Sequence, residues 1–236
     1  MRPERTRLAP ASCRAVHDRG NIMAGTRKKK ISAEARDEQR LARRMTIIDA
    51  AERVFATKPF PRVSMRDVAK EAGISPALIY RHFPDQQHLF AEAFLRGSQR
   101  LIRRFRELGT EDHKASLEET TEIFITYLTE HENYFKMMTH FMLEGNLQET
   151  LLDKINSAER SLLDQFDSLF STQCAPSNTR MLSYCFFAAL NGILITFRRH
   201  PGRSPDELKR HMDDIGRVMA RLFINAIRCK DPDLFG

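Results

Sequence analysis

Apolar residues recur at intervals of three and four along almost the whole chain and alternate almost nowhere. This pattern restricts the fold to packed helices, since a strand needs period two and no Asn-Gly turn separates β-branched runs. Prolines and glycines cut the pattern into units. Pro59 and Pro61 end a first helix predicted over 35–57, with Leu41, Met45, Ile48, Ala51 and Phe55 on one side. Two short helices are expected near 65–72 and 76–82. A long one follows over 86–108, where Phe90, Phe94, Leu101, Phe105 and Leu108 are helically spaced and Gly109 ends the run. Five more are expected near 115–131, 133–143, 147–170, 178–199 and 204–228, with Ser204 as cap and Pro205 in the first position of the last. The expected fold class is all-α, with about nine helices.

Charge divides the chain in the same place. Residues 1–30 hold nine Lys/Arg against two Asp/Glu, 31–108 hold fifteen against ten, and 109–236 hold fourteen against nineteen. A basic first half suits a polyanion, and an acidic second half suits another task. The expected organisation is a basic, disordered extension over 1–34, a helical unit over 35–84, a connecting helix over 85–108 and a second all-α domain over 109–236. Met23 opens a more usual start, so the first 22 residues read as an extension or an over-read start. Arg27, Lys28, Lys29 and Lys30 make a cationic run that fits either an arm along a phosphate backbone or a solvated tail.

Other classes are poorly supported. The N-terminal residues lack the apolar core of a secretory signal. The longest apolar run, 181–197, contains Ser183, Asn191, Gly192 and Thr196 and reads as a buried bundle helix rather than a membrane span. Cys13, Cys174, Cys185 and Cys229 show no metal-binding spacing and read as reduced thiols in a cytoplasm, Cys185 acting as a small hydrophobe. His113, His131, His140, His200 and His211 are scattered, adjacent Asp213 and Asp214 point to different sides of a helix, and there is no HExxH, GxSxG, P-loop or GxGxxG motif. His131 with Glu130 is wrongly spaced for a metal on one helix face. No enzymatic activity, cofactor or metal is expected.

The informative segment runs from Val63 to Leu89, VSMRDVAKEAGISPALIYRHFPDQQHL. Ser64 and Asp67 have the spacing of a capping box, with Asp in place of the usual Glu. Val68, Ala69 and Ala72 face inward, and Gly73 permits a left-handed turn. Ser75 caps the next helix, Pro76 suits its first position, and Ile79 and Phe83 bury one side of it. Two short helices joined by a tight glycine turn make a helix-turn-helix. Ala77, Leu78, Tyr80, Arg81 and His82 are left outside. Tyr and His can donate to phosphate, Arg can reach phosphate or guanine, a small Ala allows close approach to the major groove, and Leu78 can touch a thymine methyl. Arg66, at the start of the preceding helix, can reach the same groove. A merely solvated face is the plain alternative, and the basic charge of this half weighs against it.

These residues, together with Ala50–Phe55 (AAERVF), Ile74 and Leu89, resemble the DNA-binding domain of the TetR (tetracycline repressor-like) family, specifically over about 45–95. The resemblance implies a homodimer, usually a repressor, on a pseudo-palindromic operator, with a helical second domain that binds a small effector and dimerises through its last two long helices. It implies phosphate contacts at Ser64, Tyr80 and His82 and base reading at Arg66, Pro76, Ala77, Leu78 and Arg81. Three positions depart from the family pattern. Pro59 replaces a glycine after the first helix, Gln86 replaces a lysine that holds phosphate, and Leu78 replaces a small polar residue.

In the second half, Phe124, Tyr127, Phe135, Met138, Phe141, Met142, Phe166, Phe186, Phe187 and Phe197 supply aromatic faces and pliable methionine. Each alone reads as core. Together they suit an adaptable cavity for a hydrophobic or aromatic effector, lined by Phe124, Tyr127, Phe135, Met138, Phe141, Met142, Phe166, Phe187 and Asn191. Asn191 is open to three uses: orienting a ligand, bonding across a dimer, or accompanying a kink. Leu208, Met212, Ile215, Met219 and Leu222 form a 4-3-4-3 seam that fits either a core face or, with helix 178–199, a four-helix subunit interface. The alternative function is an all-α carrier or enzyme domain, or a protein-docking adaptor, attached to a helix-turn-helix.

Overall fold

The computed structural model describes residues 20–58, 60–109, 115–144, 147–173 and 178–228. Nine α-helices and one 3-10 turn make up the described residues, with no strand among them. They are α1 (Gly20–Thr57), α2 (Met65–Glu71), α3 (Pro76–Tyr80), α4 (Gln86–Leu108), α5 (Leu117–Glu130), α6 (Glu132–Glu144), α7 (Glu149–Gln173), α8 (Thr179–Phe197) and α9 (Pro205–Arg228). The 3-10 turn, Phe60–Arg62, lies between α1 and α2.

The helix expected from residue 35 begins at Gly20. Residues 26–57 contain no proline or glycine and many Ala, Arg, Lys, Glu and Gln, all strong helix formers, so nothing local stops the helix at 35. The stretch up to Met45 forms one unit, and the rest from Thr46 forms a compact body. Leu41 and Met45, expected on the packed side of the helix, are 61% and 38% exposed. Burial starts at Ile47 and continues through Ile48, Ala50, Ala51, Val54 and Phe55. The cationic run 27–30 falls where side chains are not described, and Cys13, Cys174 and Cys229 lie outside the described residues.

Caps set the helix starts. Ser116 and Glu119 form a reciprocal capping box at α5. At α9 the Ser204 amide donates to Glu207 at 2.8 Å and the Glu207 amide to the Ser204 hydroxyl at 3.3 Å. The largest helix contacts join α5 to α9, α4 to α7, α7 to α8, and α8 to α9. Gly216 makes the α5–α9 contact possible, because a Cβ there would lie 2.6 Å from Ile125 and 2.8 Å from Thr121.

Helix α8 is long and apolar enough to cross a membrane by length and composition. One side of it, carrying Phe186, Phe187, Leu190, Asn191, Ile193 and Leu194, is buried in the bundle. Its other side exposes Met181, Tyr184, Cys185, Ala188, Gly192 and Ile195. Cys185 therefore sits on the outer surface, not in the core where its apolar neighbours suggested. The α9 seam also divides. Met212 is buried, Leu208, Ile215 and Met219 are half-buried, and Leu222 is exposed together with Val218. Because α9 has 3.6 residues per turn, its 3.5-residue row drifts gradually away from its own core.

Candidate nucleic-acid interface and apolar cavity

The segment after α1 is built by local hydrogen bonds. The Ser64 amide and hydroxyl donate to Asp67 Oδ2 at 3.0 and 2.8 Å, and the Asp67 amide returns a bond to Ser64 Oγ at 3.2 Å. The ammonium of Lys58 donates to Asp67 Oδ1 at 2.7 Å. Lys58 first, and then Ser64, hold the Asp67 carboxyl down at about 2. Helix α2 ends in a Schellman motif: the Ile74 amide reaches Ala69 O at 3.0 Å, the Gly73 amide reaches Lys70 O at 3.2 Å, and Gly73 takes φ of 65°. Only a residue without Cβ adopts that φ at little cost, so this glycine sets the turn into α3.

Helix α3 starts at Pro76, and its Ser75 cap accepts from the Leu78 amide at 3.3 Å. It is shorter than expected, ending at Tyr80, after which His82 N donates to Ile79 O at 3.0 Å in a tighter turn. Ile79 and Phe83 are 0% and 1% exposed and anchor this element. Pro76, Ala77, Tyr80 and Arg81 are exposed, Leu78 and His82 half-exposed, and Ser64, the cap of α2, and Arg66 within it are exposed. The structure thus brings all eight candidate contact residues onto two adjacent short helices and the residues that flank them.

One departure from the family pattern, Gln86, is turned inward. The Phe60 carbonyl accepts from the Val63 amide at 3.1 Å and from Gln86 Nε2 at 3.1 Å. Gln86 therefore ties α4 to the 3-10 turn instead of reaching outward. Phe60 also packs on Phe90 at 4.0 Å between ring centres, with Phe55 edge-on to Phe90 at 4.7 Å. Asp85 caps α4 through the His88 amide at 2.8 Å and accepts from Gln148, just before α7, at 3.1 Å. Burial raises the Asp85 pKa, but its bonds from His88 and Gln148 outweigh this and leave it lowered.

An apolar cavity of about 90 Å³ lies among α4, α6, α7 and α8. Of the nine predicted lining residues, Met138, Phe141, Met142 and Phe187 do line it. The other five do not. Phe124 and Phe166 are fully buried in an aromatic core, Phe124 standing 6.0 Å from Phe187. Tyr127 donates its hydroxyl to Gly97 O at 2.9 Å, and burial pushes its pKa up to about 12. Phe135 packs under the guanidinium of Arg198 at 4.6 Å. Asn191 bonds back to Phe187 O at 2.8 Å, one turn earlier on its own helix.

Sequence reading missed Phe94 and Ser98 on α4, Tyr134 on α6, and Ile155, Glu159 and Leu162 on α7. Periodicity reports a buried face but not which faces share a void. Tyr134 shares a hydrogen bond of 2.9 Å with Ser98 and stacks on Phe94 at 5.3 Å. Burial pushes its hydroxyl far above the usual tyrosine range. A second, wider cleft near Phe55, Phe60 and Phe90 contains Lys58, Lys136 and Arg199, which pair with Asp67 or Glu132.

Residues 47–93, which span α2, α3 and their supporting helices, match the family described as bacterial regulatory proteins, tetR family. Over this segment the chain resembles the tetR family. An uncharacterized HTH-type transcriptional regulator of Haemophilus influenzae is 32% identical over 113 residues, covering 45% of this chain and 53% of that protein. The regulator UidR of Escherichia coli is 34% identical over 64 residues, 27% of this chain and 33% of its own length. The chain thus spans about half or less of the length of these relatives. Over the larger fold, the TetR family transcriptional regulator PfmR of Thermus thermophilus is 19% identical with a TM-score of 0.57, covering 76% of this chain and 97% of that one.

Proposed function

We propose that this chain is a DNA-binding transcriptional regulator of the tetR family in the cytoplasm, acting as a homodimer on a pseudo-palindromic operator, most simply as a repressor. The observation that carries this reading is the α2–α3 surface. Ile79 and Phe83 hold α3 from behind, while Arg66, Tyr80 and Arg81 project into solvent. Among the described residues, the side chains of these three make no hydrogen bond or ion pair. Arg66, Pro76, Ala77, Leu78 and Arg81 then face base edges, and Ser64, Tyr80 and His82 hold phosphates.

The functional division we favour is an N-terminal extension over 1–34, a reading head over 35–84, α4 as connector, and an effector and dimerisation domain over 109–236. The exposed apolar stripe on α8, with Val218 and Leu222 on α9, supports self-association through these two helices. The cavity supports release by a small effector with an apolar body. The test is operator selection from random DNA, followed by gel shift with Tyr80→Ala combined with Arg81→Ala. Loss of sequence-selective binding at unchanged melting temperature supports the reading, and retained selectivity refutes it.

A further inference from the structure

We infer that the cavity takes an organic cation, a small amine with a single ring or short branched alkyl body. This rests on the proposed use of the cavity as the effector site. The interior is walled by Phe94, Tyr134, Met138, Ile155, Leu162 and Phe187, all nine-tenths or more buried. Its exposed end carries Met142 and Leu152 beside Glu159, which is half-exposed.

Among the described residues Glu159 is the one carboxylate in the lining, and no Lys, Arg or His stands with it. It makes no hydrogen bond or ion pair among the described residues. Its neighbours three and four positions away on α7 are Ile155, Asn156, Leu162 and Leu163, none of them charged. The Tyr134 hydroxyl, pushed far above its ordinary range and bonded to Ser98, stays neutral and brings no competing charge. An uncompensated carboxylate at the mouth of an apolar, aromatic-walled void favours a cation by charge pairing. It disfavours an anion of the same shape. A space of about 90 Å³ admits one ring rather than a fused polycycle.

Calorimetric titration of the full chain with 2-phenylethylamine, 2-phenylethanol and phenylacetate separates the possibilities. The amine binds about ten-fold or more tighter than the alcohol, and phenylacetate binds weakest. In Glu159→Gln the amine's advantage falls to within about two-fold of the alcohol, whose binding shows that the variant is folded. Ala158→Trp fills the cavity and removes the amine's binding. Equal affinities for amine and alcohol in the native chain overturn the cation assignment while leaving the cavity an effector site. So does an amine preference that survives Glu159→Gln. Binding of none of the three, or full amine binding in Ala158→Trp, overturns the cavity reading and the assignment with it.

Discussion

Substituting Gly97 by alanine tests the closest helix contact beside the cavity. A Cβ at Gly97 would lie 2.3 Å from Tyr134 Cδ2 and 2.9 Å from two further ring carbons. Ordinary carbon contacts begin at about 3.5 Å, so the ring or the helix must retreat by about 1 Å. Neither is free to do so. Tyr134 is 4% exposed, bonded to Ser98 and stacked on Phe94, while the Gly97 carbonyl is held by Tyr127. Overpacking of this kind costs about 1–3 kcal/mol, with the upper end expected here, and alanine returns about 1 kcal/mol of helix propensity. The net loss is about 2 kcal/mol, or about 4–8 °C in melting temperature for a chain of this size. In a Tyr134→Ala background the obstacle is gone, and the same Gly97→Ala change should stabilise by about 0.5–1 kcal/mol. Unfolding followed by circular dichroism at matched protein concentration reads both signs. The same sign in both backgrounds would refute this account of the contact.

Leu222→Asp, at an exposed α9 position, should give monomers by light scattering and weaken operator binding while leaving helical content intact. A stable dimer would move the interface off α9. Gly73→Ala should destabilise by about 1 kcal/mol, because the turn requires φ of 65°, with unfolding midpoints as the measure. Because Asp67 is held at about 2 when folded and titrates near 4 when unfolded, the folded state binds fewer protons between those values. Stability from this group is present above pH about 4 and is lost as pH falls towards 2. Asp67→Asn should flatten the stability profile in that window. Removing residues 1–30 should lower affinity for all DNA sequences and reduce the salt slope if Arg27–Lys30 follow phosphates, and an unchanged slope retires the arm.

What could be read from sequence was local. Ser64 with Asp67, Gly73, Ser75 with Pro76, and Ser204 with Pro205 each act within a few residues, and the structure places them as their spacing predicts. The buried pair Ile79 and Phe83 was legible for the same reason, which left the outward residues of α3 legible by subtraction. Long-range facts were not. Nothing beside Gly97 or Gly216 announces the Tyr134 or Ile125 side chain that needs the missing Cβ. Leu41 and Met45 continue the apolar row of α1 but lie exposed, because a row says nothing about where its partner ends. The cavity was half legible: α6 and α8 residues were found by composition, whereas Phe94 and Glu159 needed the packing of α4 and α7 to bring them together.

On α4, Phe90 and Phe94 are one turn apart, about 6 Å along a stiff rod. Phe90 wedges between Phe55 and Phe60, behind the outward helices, and Phe94 forms a wall of the void. The same rod is the one that Gln86 fastens to the Phe60 carbonyl. On the proposed effector reading, the wall of the chamber and the support of the outward helices thus share one stiff element.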